Sequence, residues 1–144
     1  MRRPRAYLAH PMTTYGTEHE AWALGHVAQA LAGWELINPA TKYDSDTAWL
    51  RSWPRLVRGL DLLVLAPATD GTVGVGCIRE VTDCLLWQVP VVVLDRLGHL
   101  CELRGLLLIG FGARTARRAA WVMAGEPTRL PGVAPRPQRI RAAS

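Results

Sequence analysis

The chain of 144 residues has no long apolar run, few cysteines and one phenylalanine. No apolar run is long enough to span a bilayer, which argues against a membrane protein. The three cysteines show no CxxC spacing, and their odd number fits reduced thiols in a cytoplasmic protein better than a disulfide framework. The basic amino terminus lacks an apolar signal core, so no export signal is predicted. We therefore expect one cytoplasmic domain with a hydrophobic core.

Several motifs that mark cofactor or catalytic sites are also missing. There is no Walker motif and no Ser-His-Asp pattern, and the glycines of residues 71–76 (GTVGVG) do not follow the G-x-G-x-x-G spacing of dinucleotide-binding loops. The four histidines lack the spacing of metal ligands. We therefore predict neither a metal ion nor a cofactor.

Positive charge is unevenly distributed. Residues 1–110 hold ten Lys or Arg and eleven Asp or Glu, a net charge of −1, whereas residues 111–144 hold seven Arg and one Glu, a net charge of +6. Residues 126–144 are rich in Pro and Arg, so we expect a poorly ordered tail after a domain of residues 1–125. The tail has no aromatic residue to stack on bases, which makes nucleic acid an improbable partner.

Apolar runs and helical spacings alternate along the chain. Strands are predicted at residues 6–9, 34–37, 62–66, 91–94 and 106–109 (with a helix as the alternative for the last), and helices at 17–33, 49–60, 77–88 and 113–124. Thr17 and Glu20 form a T-x-x-E capping pattern at the start of the first helix. The helix near residue 50 is expected to be regular only from Pro54, and residues 96–104 are expected to form a loop with a short helix. Uninterrupted apolar strands favour a parallel sheet covered on both faces. We predict a three-layer α/β sandwich around a mostly parallel, five-stranded sheet of flavodoxin-like or Rossmann-like order.

Residues 61–95 carry the candidate site. They are predicted to form a strand, a glycine-rich loop, a helix and a second parallel strand. Ligands in such sheets bind beyond the carboxyl ends of the strands, which selects the loop and the first helical turn with Arg79 and Glu80. Free backbone N–H groups of Gly74 and Gly76 are suited to a phosphate or to sugar hydroxyls.

Residues 7–11 (YLAHP) have a Y-x-A-x-P pattern at a predicted strand and turn. Residues 59–64 (GLDLLV) place an Asp before apolar residues where a helix leads into a strand. Residues 74–80 (GVGCIRE) have a G-x-G-x-x-x-E pattern. In this order, the three segments resemble elements of the nucleoside 2-deoxyribosyltransferase superfamily, which includes N-glycosidases of nucleoside 5′-monophosphates. The resemblance covers roughly residues 5–95.

The resemblance implies a role for individual residues. Glu80 matches the nucleophile, Asp61 lies near the base or sugar, and the loop from His10 to Gly16 wraps the base or the 5′ end. The substrate-binding residues that we predict are Tyr7, His10, Pro11, Tyr15, Gly16, Asp70, Gly74, Gly76 and Arg79. The resemblance also implies a homodimer or a larger homo-oligomer, and a nucleoside or nucleotide as the small-molecule partner.

The chemistry of N-glycosidic bond cleavage fits these residue types. Positive charge develops on the sugar, and a carboxylate such as Glu80 can stabilise it or bond to C1′. The departing base needs a proton, which Asp61 or Asp70 could supply. For a monophosphate, Arg79 is the first candidate to bind the phosphate and Arg114 the second.

Each of these residues also has a structural interpretation. In this interpretation, Glu80 is a first-turn acid that the helix dipole keeps ionised, Asp61 is a strand-end cap, and Asp70 is a turn residue beside Gly71. Tyr7 packs in the core. Because Val81 and Thr82 follow Glu80 where the family often has a small residue, the alternative function is a non-catalytic nucleotide-binding module of the same fold.

Overall fold

The computed structural model describes residues 2–43, 45–109, 119–128 and 130. In this part of the chain, one sheet is flanked by helices. The strands are β1 (Arg5–Ala9), β2 (Glu35–Ile37), β3 (Leu62–Leu65), β4 (Thr72–Gly74), β5 (Val91–Leu94), β6 (Leu100–Ile109) and β7 (Ala119–Pro127). The α-helices are α1 (Glu18–Ala30), α2 (Pro39–Lys42), α3 (Asp46–Arg58) and α4 (Val75–Leu86). None of the helices described is long and apolar enough to cross a membrane.

The sheet is mixed, in the order β2-β1-β3-β5-β6-β7-β4. Strands β2, β1, β3 and β5 are parallel, and the remaining pairs are antiparallel. The α/β class is therefore confirmed, but the prediction of a mostly parallel five-stranded sheet is wrong. The physical reason is a tight turn after β5, in which Asp95 accepts the backbone N–H groups of Leu97 and His99. So short a connection can join only antiparallel strands.

Side chains of β1 and β3 alternate between two cores. Ala6 and Leu8 pack with apolar side chains of α1, such as Val27, on one face of the sheet. Tyr7 and Ala9 pack on the opposite face with side chains of α3 and α4. Because successive side chains of a strand point to opposite faces, a continuous apolar run can supply both cores at once.

The starts of α1 and α3 are set by hydroxyl caps. The Thr17 side chain accepts the N–H of Glu20 at 3.3 Å, so the predicted cap of α1 is confirmed. Ser45 caps α3 in the same manner, accepting the N–H of Ala48. The helix then runs through Pro54, so the prediction that regular helix starts only at this proline is wrong.

The segment after β5 is where the predicted elements fail. Residues 100–104 belong to β6 rather than to a loop with a helix, and residues 119–124 belong to β7 rather than to a helix. Leu106 pairs with Val122 and Leu107 with Trp121, so long-range pairing overrides the helical preference of the alanines in this segment. The predicted strand at 106–109 is confirmed as part of β6. Strand β7 continues to Pro127, past the predicted domain end at 125, and residues 131–144 lie outside the described residues.

Asp61 ties the amino terminus of the chain to the start of β3. Its carboxylate is 2% exposed and accepts Arg2 Nη1 and the backbone N–H of Arg5, both at 2.8 Å. This binding places Asp61 beside the first residue of β1, at the amino edge of the parallel strands.

We expect Asp61→Ala to lower the free energy of unfolding by about 1–3 kcal/mol, because the buried N–H of Arg5 would lose its acceptor. Urea denaturation measures the change. The matched control is Glu102→Ala, which removes an exposed carboxylate and is expected to stay within about 0.5 kcal/mol of the wild type. Equal stabilities of the two variants would contradict a structural role for Asp61.

Candidate functional site

An acid occupies one position of an otherwise apolar helical stripe. The buried residues of α4 are Cys77, Glu80, Val81 and Cys84, at positions i, i+3, i+4 and i+7 of one helix face. Glu80 is only 5% exposed. The prediction that Glu80 lies in the first turn is wrong, because α4 begins at Val75 and Glu80 is its sixth residue. The side chain faces the core, not open solvent.

A short chain of hydrogen bonds connects Glu80 to the sheet and to α3. The hydroxyl of Tyr7, a fully buried residue of β1, donates to Glu80 Oε2. The indole Nε1 of Trp49 in turn donates to the Tyr7 hydroxyl at 2.9 Å. Three elements that are distant in the sequence therefore meet at one carboxyl group.

Aromatic rings and charged side chains surround this chain of hydrogen bonds. The Trp49 and Trp53 rings are stacked with centroids 5.6 Å apart, and Trp53 lies 5.0 Å from the Tyr7 ring. Trp53 Nε1 donates to Asp83 Oδ2 at 2.8 Å. The exposed guanidinium of Arg79 lies 5.8 Å from the Trp49 ring centroid. The cluster thus combines an acid, flat rings and a cation.

Burial dominates the electrostatics of the acid. It raises the pKa of Glu80 to about 8, and the negative charge of Asp83 adds to the effect. Hydrogen bonds from Tyr7 and Trp49 favour the ionised form but offset only part of the shift. Burial and the neighbouring Glu80 also raise the pKa of Tyr7, so its phenol remains a donor. The idea that a helix dipole keeps Glu80 ionised is therefore wrong: Glu80 lies beyond the first turn, where the dipole acts.

The structure does not bring Asp61 into this cluster. Asp61 lies at the amino edge of β3, where Arg2 and Arg5 bind its carboxylate. Among the contacts of Glu80 described above, no atom of Asp61 takes part. Its strand-end interpretation accounts for every contact that we describe.

The first loop is held by a buried acid that the sequence analysis treated only as part of a cap. Glu20 Oε2 lies 2.7 Å from His10 Nε2, and Glu20 Oε1 accepts the N–H of Gly16. His10 Nδ1 lies 3.1 Å from the carbonyl oxygen of Leu8. His10 thus has both ring nitrogens engaged within the protein.

The rest of the first loop is arranged around this histidine. The ring of Tyr15 lies 4.6 Å from the ring of His10. Pro11 is buried and precedes a 3-10 turn at Met12–Thr14. These contacts hold the loop around His10 and leave the Tyr15 ring partly exposed.

The glycine-rich loop forms a short strand before the helix. Asp70 is exposed and accepts the backbone N–H and the hydroxyl of Thr72, and these bonds lower the pKa of Asp70. Its interpretation as a turn residue is supported. Gly74 ends β4 and is the N-cap of α4, and Gly76 is an exposed residue of the first turn. Arg114, the second candidate for a phosphate, lies outside the described residues.

Sequence reasoning missed the two tryptophans and Glu20 as parts of the site region. Trp49 and Trp53 were predicted only as members of a helix over residues 49–60. The sequence does contain an indication of these contacts. A buried indole N–H normally finds an acceptor, so two tryptophans four residues apart on one helix predict polar partners beneath that helix. For Glu20, the capping pattern gave a complete explanation and concealed its pairing with His10.

No group of three or more His, Cys, Asp or Glu side chains suited to a metal ion occurs among the described residues. Comparison with protein-family models, curated proteins and solved structures finds no match to this chain.

The buried carboxyl of Glu80 predicts a pH-dependent stability. The folded protein retains the Glu80 proton up to about pH 8, whereas the unfolded chain releases it near its ordinary pKa of about 4.3. The folded state therefore binds more protons between these values, and the free energy of unfolding decreases as the pH rises through this window. Each unit of difference corresponds to about 1.36 kcal/mol.

We expect Glu80→Gln to remove this slope. Denaturation midpoints of the wild type and the variant, measured from pH 5 to 9, should diverge in favour of the variant as the pH rises. Glu102→Gln, which neutralises an exposed acid, should follow the wild type. Parallel curves for wild type and Glu80→Gln would contradict the raised pKa.

Proposed function

We propose that the protein cleaves the N-glycosidic bond of a nucleoside or a nucleoside 5′-monophosphate, with Glu80 as the nucleophile. The observation that carries the proposal is the contact between Tyr7 and Glu80. The two residues belong to different segments of the family resemblance and are 73 positions apart in the sequence. If either segment resembled the family only by chance, there would be no reason for these two side chains to be in contact.

The surroundings of Glu80 support the same chemistry. A carboxyl group with a strongly raised pKa, a phenol that hydrogen-bonds to it and a tryptophan behind that phenol form the kind of arrangement found at functional sites. Flat rings of Trp49 and Tyr15 are suited to a nucleobase, and the Arg79 guanidinium to a 5′-phosphate.

In the proposed reaction, ionised Glu80 attacks C1′ of the sugar through one carboxylate oxygen. The C1′–N bond breaks, its electron pair leaves with the base, and the base takes up a proton from water. Water, or a second base in a transferase, then releases the sugar from the glycosyl ester. The Tyr7 hydroxyl holds Oε2, which leaves Oε1 as the attacking atom.

The burial of Glu80 adds a condition to this mechanism. At 5% exposure the carboxyl group is not open to a ligand. The partly buried ring of Trp49 and the guanidinium of Arg79 lie beside it, so the proposal requires that these side chains move when the substrate enters. Such a movement would also open a path for the Glu80 proton to leave.

A non-catalytic nucleotide-binding module is the second candidate. It is favoured by the same burial and by the pKa of about 8, since a protonated Glu80 at neutral pH is a hydrogen-bond donor rather than a nucleophile. The two functions differ in whether the free base is released after binding.

The primary test is incubation of the full chain with a panel of nucleosides and their 5′-monophosphates, followed by chromatography of the released base. We expect release by the wild type and a loss of at least a hundredfold in turnover for Glu80→Gln, which keeps the size of the side chain but removes its charge. The matched control Glu102→Gln should keep wild-type turnover.

A substrate with a 2-fluoro sugar should leave the sugar attached to the peptide that contains Glu80, detected as added mass. Binding without release of any base would favour the binding module. Near wild-type turnover of Glu80→Gln would exclude Glu80 as the nucleophile.

Arg79 is expected to distinguish monophosphates from nucleosides. Arg79→Ala should lower kcat/KM for the monophosphate at least tenfold and leave the nucleoside nearly unaffected, because only the former has an anion for the guanidinium to bind. Arg55→Ala, which removes an exposed arginine of α3, is the control. Equal losses on both substrates would show that Arg79 does not bind the phosphate.

A further inference from the structure

A cavity lies at the end of the sheet where β3 and β5 finish, next to the start of α1. Its volume is about 490 Å³, within the range of about 300–1,000 Å³ that is usual for small-molecule sites. It is bounded by the segments that follow β3 and β5, by the first turns of α1 and by β7. This position is beyond the carboxyl ends of two neighbouring parallel strands, where ligands of α/β sheets bind.

The walls of this cavity are of three kinds. Trp22 and His19 of α1 form an aromatic wall, with ring centroids 5.4 Å apart. Val93 and Leu94 contribute an apolar floor. Polar groups come from the loops, as described below. None of the residues that line the cavity contacts Glu80, Tyr7 or Trp49 in the interactions given above.

Asp95 contributes an acceptor that is only partly used. Its Oδ1 accepts two backbone N–H groups, at 2.9 and 2.8 Å, and its Oδ2 lies 3.4 Å from the thiol of Cys101 and 3.9 Å from His99 Nδ1, which is beyond hydrogen-bond distance. A carboxylate has about four acceptor sites, two on each oxygen. Oδ2 can therefore accept one more donor, such as a sugar hydroxyl. The hydrogen bonds at this turn lower the pKa of Asp95 against the effect of burial, so the carboxylate is ionised at neutral pH.

Arg96 and Thr69 complete the polar side of the cavity. Arg96 is exposed and has no ion-pair partner among the described residues. A guanidinium with open donors binds phosphate oxygens in a bidentate manner. The exposed hydroxyl of Thr69 is available on the neighbouring loop. A ligand that uses these groups carries both hydroxyls and an anion.

We propose that this cavity binds a sugar phosphate, either free or as part of a nucleotide. The sugar hydroxyls bind Asp95 Oδ2, the phosphate binds Arg96, and an aromatic base, where present, lies against the rings of α1. The site does not depend on Glu80, so it stands whether or not the protein cleaves glycosidic bonds.

The loop between β3 and β4 connects this cavity to the helix that carries Glu80. Pro67 and Gly71 line the cavity, and the same loop continues through β4 into Gly74, the N-cap of α4. Gly71 has a φ of +85°, which favours glycine, and its carbonyl accepts the N–H of Val122. A ligand in the cavity therefore touches the segment that leads directly to the helix of Glu80.

The test is titration of the ¹⁵N-labelled full chain with ribose 5-phosphate, followed by NMR. We expect saturable shifts of the backbone signals of Thr69, Asp95 and Arg96. Ribose alone and inorganic phosphate alone should bind at least tenfold more weakly. A parallel titration uses adenosine 5′-monophosphate. If it shifts the same backbone signals and binds more tightly than ribose 5-phosphate, the sugar phosphate that is bound is part of a nucleotide.

Two variants test the location. Arg96→Ala should weaken binding at least tenfold, whereas the matched variant Arg55→Ala, on α3, should bind as the wild type does. Ala124→Trp should abolish the shifts, because Ala124 is an exposed position of β7 at which a larger ring fills the cavity. Thr69→Trp fills it from the loop if the first variant fails to fold. Shifts that survive in a folded cavity-filling variant, or an equally strong response to phosphate alone, would overturn the proposal.

Discussion

The hydrogen bond between Tyr7 and Glu80 is the contact on which the arrangement of the molecule depends. Glu80 is buried in an otherwise apolar stripe of α4, and an unpartnered carboxyl group at that depth would be strongly destabilising. Tyr7 supplies the partner from the middle of β1, and Trp49 supplies a donor to Tyr7 from α3. The positions of one strand and two helices are therefore coupled through a single polar group.

The chain up to residue 95 could be predicted well because local signals and tertiary structure agree there. The apolar run at 91–94 became β5, and the Thr17 cap begins α1 where the sequence placed it. The chain after residue 95 could not, because the pairing between β6 and β7, rather than a local pattern, decides its structure. An alanine-rich segment such as 119–124 has no local feature that distinguishes a strand paired with β6 from a helix.

The residues of the candidate site were likewise predicted with uneven success. Glu80 and Tyr7 were predicted as separate site residues, and the fold brings them into contact. Asp61 was predicted from the resemblance of residues 59–64 to a family element, but in a parallel sheet the residue before a strand lies at the amino edge, and Arg2 binds it there. The burial of Glu80 could not be predicted from the sequence. Helical spacing shows on which face of the helix a residue lies, but not which other elements cover that face.

An acid at position 80 has an energetic disadvantage that a glutamine would not have. A glutamine there would accept the Tyr7 hydroxyl through its amide oxygen, have nearly the same volume and carry no charge to bury. Glutamic acid instead makes the folded state less stable as the pH rises from about 4.3 to about 8, because the unfolded chain releases a proton that the buried carboxyl retains. Structure alone gives no reason to prefer it. A function that uses the carboxylate or its proton would give a reason to prefer glutamic acid. We therefore seek the chemistry of the protein at Glu80.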